Sequence, residues 1–165
     1  MAGYCRRLAA ALGLALAMIG TSTASAQPVS IKNPAAFVAT LKAMGYAPGP
    51  LTNVETAPEV IVQIGGFGST LRLAGCDAGT NCDYMTLILS FNDVVNPPMH
   101  WVQEMNDEFD LLRVGINENG QLYLFGAYVV EGLPQSELRR IFDYWSADTA
   151  AVGQEAVEGG YATKK

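Results

Sequence analysis

The sequence predicts an α+β fold, an antiparallel sheet with helices in the order α-β-β-β-α-β-β-α. Three observations carry this expectation. Residues 84–91 alternate apolar and polar side chains with the period of a half-buried strand. Three segments, opening near Asn33-Pro34, Asn96-Pro97-Pro98 and Pro134, repeat apolar residues at helical spacing. Turn residues separate the short apolar runs between them, most clearly Gly65-Gly66-Phe67-Gly68 and Asn119-Gly120.

In the first helix Asn33 is a good cap and Pro34 sits where a missing N–H does no harm. Phe37, Leu41 and Met44 form the buried stripe, Val38 widens it, and Gly45 stops it. Tyr46-Ala47-Pro48-Gly49-Pro50 cannot continue a helix, and Leu51 to Val54 reads as an additional short strand. Val60 to Ile64 and Ser69 to Leu73 then form a hairpin around the glycines. The alternating strand from Tyr84 follows, with Met85, Leu87, Leu89 and Phe91 on one face. The second helix carries Val102, Met105 and Phe109 and ends near Asp110. Leu112 to Ile116 and Gln121 to Val130 form a second hairpin, for which Asn119-Gly120 predicts a type I′ turn. Leu138, Ile141, Phe142 and Trp145 mark the third helix, with Glu137, Arg139, Arg140 and Asp143 facing solvent. Beyond Ala150 no apolar period is sustained, and Gly153, Gly159 and Gly160 with terminal Lys164 and Lys165 suggest a flexible tail. The expected organisation is a signal peptide over 1–26, one α+β domain over 27–149 and a tail over 150–165.

The leader reading rests on three parts. Arg6 and Arg7 give a positive end, Leu8 through Gly20 is an apolar run of 13 residues, and Ala24-Ser25-Ala26 is a small-x-small pattern before Gln27. A retained membrane anchor needs about 20 apolar residues, so cleavage after Ala26 is favoured. No lipidated-cysteine pattern sits there, since Cys5 lies ahead of the apolar run. Taking 26 residues from 165 leaves 139, and losing Arg6 and Arg7 from the 10 basic residues leaves 8 against 16 acidic ones, a net charge of −8. That charge disfavours nucleic acid and anionic membrane surfaces, which recruit clustered Lys and Arg. The implied location is a bacterial envelope, the periplasm first and secretion beyond an outer membrane second.

Only Cys76 and Cys82 remain after the leader, spaced C-x5-C around a turn-forming segment. In an oxidising compartment the simplest reading is a structural disulfide, stabilising the fold by roughly 2 kcal/mol. A redox pair is the alternative, although active dithiols favour C-x-x-C at a helix start. Zinc is disfavoured by a single histidine and the lack of a second cysteine pair. The glycines of 65–68 lack the Lys-Ser/Thr of a phosphate loop and lie between strands. His100 has only Glu104 one turn away and no nominated nucleophile, so it reads as a surface residue. Glu104, Asp107, Glu108 and Asp110 lack the order of a calcium loop and read as a solvated face. Trp101, Tyr144 and Trp145 either line a ligand groove or belong to the core. No catalytic constellation, metal site or cofactor is expected. The candidate interaction surface is His100, Trp101, Met105 and Trp145, with Trp101 at least partly exposed at its rim.

The chain resembles the YbjN family of bacterial proteins over about Asn33 to Ala147. The resemblance is carried by Asn33-Pro34 with Leu41-Lys42-Ala43-Met44-Gly45-Tyr46, by Gly75-Cys76 with Cys82, and by Met105-Asn106 leading to Gly115-Ile116-Asn117-Glu118-Asn119-Gly120. Glu131-Gly132 before the last helix, with Trp145, completes it. Relatives tend to have Trp-Asn where this chain has Met105-Asn106, and Trp101 is placed to fill that space. The resemblance implies a type III secretion chaperone-like fold, a regulatory or chaperone-like binding role without enzymatic chemistry, and a homodimer. The expected partner is a protein or peptide held by the open sheet face or an edge strand, with a small-molecule-binding or thiol-redox protein using Cys76 and Cys82 as the alternative.

Overall fold

The computed structural model describes residues 27–162, so the expected leader lies outside the described residues. The elements are α1 (Pro34–Ala43), β1 (Glu59–Ile64), β2 (Phe67–Ala74), β3 (Tyr84–Val95), α2 (Met99–Glu108), β4 (Arg113–Ile116), β5 (Gln121–Tyr128) and α3 (Gln135–Glu158). The five strands form one antiparallel sheet in the order β1-β2-β3-β5-β4. This is the expected α+β arrangement.

Local sequence explains most of the element ends. Asn33 accepts from the Ala36 N–H and caps α1, and Gly45 turns the chain away at φ 91°. Gly65 and Gly66, both at positive φ, make the two-residue turn between β1 and β2 that a twisted hairpin favours. The turn before β5 differs from the expected type I′ form. Only Gly120 there is left-handed, the Gly120 N–H donates to the Asn117 carbonyl, and the Asn117 side chain accepts from the Asn119 and Gln121 amides. The Asn117 side chain thus organises a longer loop. Leu51 to Val54 contributes a single bridge, Thr52 to Glu59, in place of a strand. Asn96 does not cap α2: it sits at φ 51° with its N–H on the Gly120 carbonyl, and the cap position falls to Pro98.

Alternation puts Val60, Val62, Ile64, Leu71, Leu73, Met85, Leu87, Leu89, Leu122 and Leu124 on one buried face. Against them pack Phe37 and Leu41 of α1 and Leu138, Phe142 and Trp145 of α3. The Trp145 indole N–H donates to the Ser69 hydroxyl at 2.8 Å inside this layer. Arg139 ties α3 to the end of α1, donating to the Met44 carbonyl at 2.6 Å and lying over the Tyr46 ring. Burial raises the Tyr46 phenol above its ordinary value, an effect Arg139 opposes.

Two segments at the limits of the described residues belong to the core. Val29 and Ile31 are fully buried, the Val29 N–H donates to the Leu133 carbonyl, and the Glu131 carboxylate accepts from the Ile31 N–H and the Ser30 hydroxyl. At the other end the expected tail is corrected, because α3 continues to Glu158. Thr149, Val152 and Ala156 extend its buried stripe, and Ala162 bridges to Val94 of β3. The period was faint because a threonine and an alanine occupy two of those positions.

Cys76 and Cys82 form a disulfide. Its loop meets two other segments: the Asn81 N–H donates to the Lys32 carbonyl, the Lys32 ammonium donates to the Cys82 carbonyl, and a Cβ at Gly79 would overlap the Val54 carbonyl.

Gly65 meets two constraints, since it is left-handed and a Cβ there would overlap the Ser146 hydroxyl of α3. Gly65→Ala should therefore lower stability by about 1–3 kcal/mol, read as a shift in the urea midpoint. Adding Ser146→Gly should recover only the part due to the overlap.

Candidate functional site

Of the four residues expected to form an interaction surface, one is exposed and three belong to the core. His100 is exposed, whereas Trp101, Met105 and Trp145 are buried at 5%, 4% and 1% exposure. The expected exposure of Trp101 is therefore corrected: its ring packs on Tyr161, centroids 5.1 Å apart, in the segment that follows α3. The aromatic groove reading of Trp101, Tyr144 and Trp145 fails with it, since Tyr144 is exposed and the two tryptophans belong to the core. Among the described residues no group of three or more His, Cys, Asp or Glu is placed to hold a metal. Cys82 is fully buried within its disulfide.

Both sheet edges are engaged. Along β1, the Glu59 N–H and carbonyl exchange bonds with Thr52, and the Ile61 carbonyl accepts from the Gly49 N–H. Along β4, Asn106 acts as a substitute strand. Its Oδ1 accepts from the Val114 N–H at 2.9 Å and its Nδ2 donates to the Val114 carbonyl at 2.8 Å. The same Nδ2 reaches the Val102 carbonyl within α2. One side-chain amide thus satisfies an edge residue's donor and acceptor and binds α2 to the sheet.

What stays open is the sheet face opposite the helices. Strand register builds a transverse row of Ile61, Thr70, Ile88, Phe125 and Arg113. A second row holds Glu59, Arg72, Thr86 and Ala127. Toward the start of β3, Tyr84 and Val129 are exposed, Val129 at 76%. A hollow of about 470 Å³ lies among Asp83, Tyr84, Phe125, Ala127, Tyr128 and Val129. It adjoins a smaller one lined by Asp110 to Arg113, because both share Phe125 and Ala127. Together they make a continuous apolar patch with Asp83, Asp110 and Arg113 at its rim. A larger hollow of about 620 Å³, beside Phe67, Ser90, Asn92 and Asp93, has a more polar lining.

Two ionisable groups near this end of the molecule are perturbed. Burial pushes the Tyr128 phenol up to about 12, with the Asp148 carboxylate adding to the shift. Partial burial also raises Asp148 above its ordinary range. The Tyr128 hydroxyl donates to the Leu111 carbonyl at 3.3 Å, consistent with a neutral phenol. The open patch was not singled out from the sequence. Its one available signal was that Tyr84, Ile88, Tyr123 and Phe125 occupy the strand positions that a solvated face would give to polar residues.

Asn106→Ala should cost about 1–3 kcal/mol, because it strips partners from the Val114 amide and carbonyl, and denaturant unfolding will show it. Asp148 gives a pH signature. Its folded pKa is raised, so its protonated form stabilises the fold below the unfolded aspartate range and that contribution is lost as pH rises through the folded value. Asp148→Asn should accordingly melt above the parent near neutral pH, with the gain vanishing in acid below the ordinary aspartate range.

No family model matches the chain, and no curated protein or solved structure matches it either.

Proposed function

We propose that this chain is an exported, non-enzymatic binding module that docks a protein partner on the open face of its sheet. The observation that carries the reading is the patch centred on Phe125 and Ala127, which continues to Tyr84, Leu111 and Val129. A contiguous apolar patch rimmed by charge is the usual composition of an interface. Addition of a peptide strand at an edge is less favoured, because Thr52 and Gly49 engage β1 and Asn106 engages β4. The partner inferred from this surface presents an apolar centre with a basic rim, complementary to Asp83, Asp110 and the net negative charge of the chain.

Export is supported by the leader pattern before Gln27 and by the Cys76–Cys82 disulfide, which suits an oxidising compartment. No helix among the described residues is long and apolar enough to cross a membrane. The regulatory or chaperone-like role and the kinship with the YbjN family belong to the same proposal, and the thiol-redox alternative is weakened by the burial of Cys82.

Val129→Glu and Phe125→Glu provide the test. A discrete partner crosslinked to the parent protein in envelope extracts should be lost from both variants, with affinity reduced about tenfold or more and melting unchanged for Val129→Glu. Raised salt should weaken the parent complex. Equal capture by parent and variants would sink the face as the docking site. Sedimentation of the same proteins reports whether the face instead pairs two copies of this chain.

A further inference from the structure

We propose that β3 offers a strand-accepting slot on its β2 side beyond Ile88, and that the slot's occupant is the chain's own basic segment Thr163-Lys164-Lys165, added as a short antiparallel strand. That segment lies outside the described residues, and the groups around the slot are what point to it. The slot is separate from the docking patch, which lies toward the opposite end of β3, and it does not depend on export.

The slot exists because two neighbouring strands part. Among the described residues β2 and β3 pair from Ala74↔Tyr84 to Thr70↔Ile88 and no further, although β2 reaches back to Phe67 and β3 runs on to Val95. Their outer sides stay paired over this stretch, Phe67 and Gly68 with β1 and Leu89 to Phe91 with β5. Between the parted strands lies the hollow of about 620 Å³, with Gly66 to Gly68 on one wall and Leu89 to Asp93 on the other. Gly66 and Gly68 bring no side chain into it. A strand side that has lost its neighbour is a template for another extended chain.

The chain beyond α3 is aimed along this side of β3. The Tyr161 and Ala162 N–H groups both donate to the Ala156 carbonyl, at 2.8 and 3.1 Å, and the Tyr161 ring rests on Trp101. Ala162 then forms an antiparallel bridge with Val94. Because Gln121 of β5 holds the other side of β3 at Val95, that bridge lies on the side facing β2. An antiparallel partner runs opposite to β3, so continued register sets Thr163 against Asp93, Lys164 against Asn92 and Lys165 against Phe91. Three residues at about 3.3 Å each cover about 10 Å, which fills the slot without reaching Ile88, where β2 resumes its pairing. The two lysines bring positive charge beside Asp93, in a chain whose acidic residues outnumber its basic ones by 16 to 10.

Amide exchange resolved residue by residue by NMR, on the full chain with its disulfide oxidised, tests the proposal. The Lys164 and Lys165 amides should exchange about tenfold or more slowly than in a free peptide of the same sequence. Removing residues 163–165 should shift the amide resonances of Gly66, Gly68, Ser90 and Asp93 and leave those of Tyr84, Ala127 and Val129 in place. Exchange of Lys164 and Lys165 at the free-peptide rate would overturn the proposal, and so would slot resonances that the truncation does not move. Protection that disappears on dilution would also overturn it, because the slot would then be filled by the segment of a second copy.

Discussion

The Trp145 indole N–H donates to the Ser69 hydroxyl where neither side chain keeps meaningful contact with water, and the position of α3 on the sheet depends on that bond. Leaving either polar atom unpaired there would cost the full desolvation penalty, so α3 has one favourable placement over β2. That placement sets Ser146 against the β1–β2 turn and Gly153 against Phe91. It also aims Arg139 at the end of α1. The helix is thereby registered along its length from one buried contact, and the inner sheet face is closed.

Closure on one side determines what can happen on the other. With α1 and α3 over the inner face, and groups on both edges already bonded, the outer face is the broad surface of the sheet that keeps apolar groups in contact with water. Ile88 and Phe125 are partly screened there by their cross-strand neighbours, while Ile61 and Val129 stand clear. An outer face of this kind is stable in water only because Arg72, Arg113, Glu59 and Ser90 are interspersed with the apolar positions.

The segments at the limits of the described residues contribute more than their composition suggests. Residues 27–32 behave as a strap whose anchors, Leu133, Gly132 and Glu131, lie about a hundred residues away in sequence. The disulfide loop reaches the same strap through Lys32, and residues 161–162 return to α2 and β3 through Trp101 and Val94. Both segments are thus joined to the centre of the domain, which reduces fraying where such segments are ordinarily loose.

Much of the local physics is legible in the residues, although the Asn117-organised turn and the cap of α2 are not. Period-2 alternation announced β3, the Asn33 cap and Pro34 announced α1, and the C-x5-C spacing around a turn announced the disulfide. The fold class followed from these, because helices at both ends and the middle of an antiparallel set must cover one face. The last turns of α3 are faint in the sequence because Thr149 and Ala156, a polar and a small residue, share the buried stripe with Val152. From the sequence Trp101 reads as a rim residue because Tyr161, the side chain that covers it, lies sixty residues further along the chain. Asn106 reads as an ordinary polar helix residue until β4 passes within hydrogen-bonding distance. Sequence by itself determined the main periodicities, the Asn33 cap and the covalent link of this protein. Tertiary structure alone decided which face stayed open and which edges were sealed, since those depend on contacts between residues that no local pattern brings together.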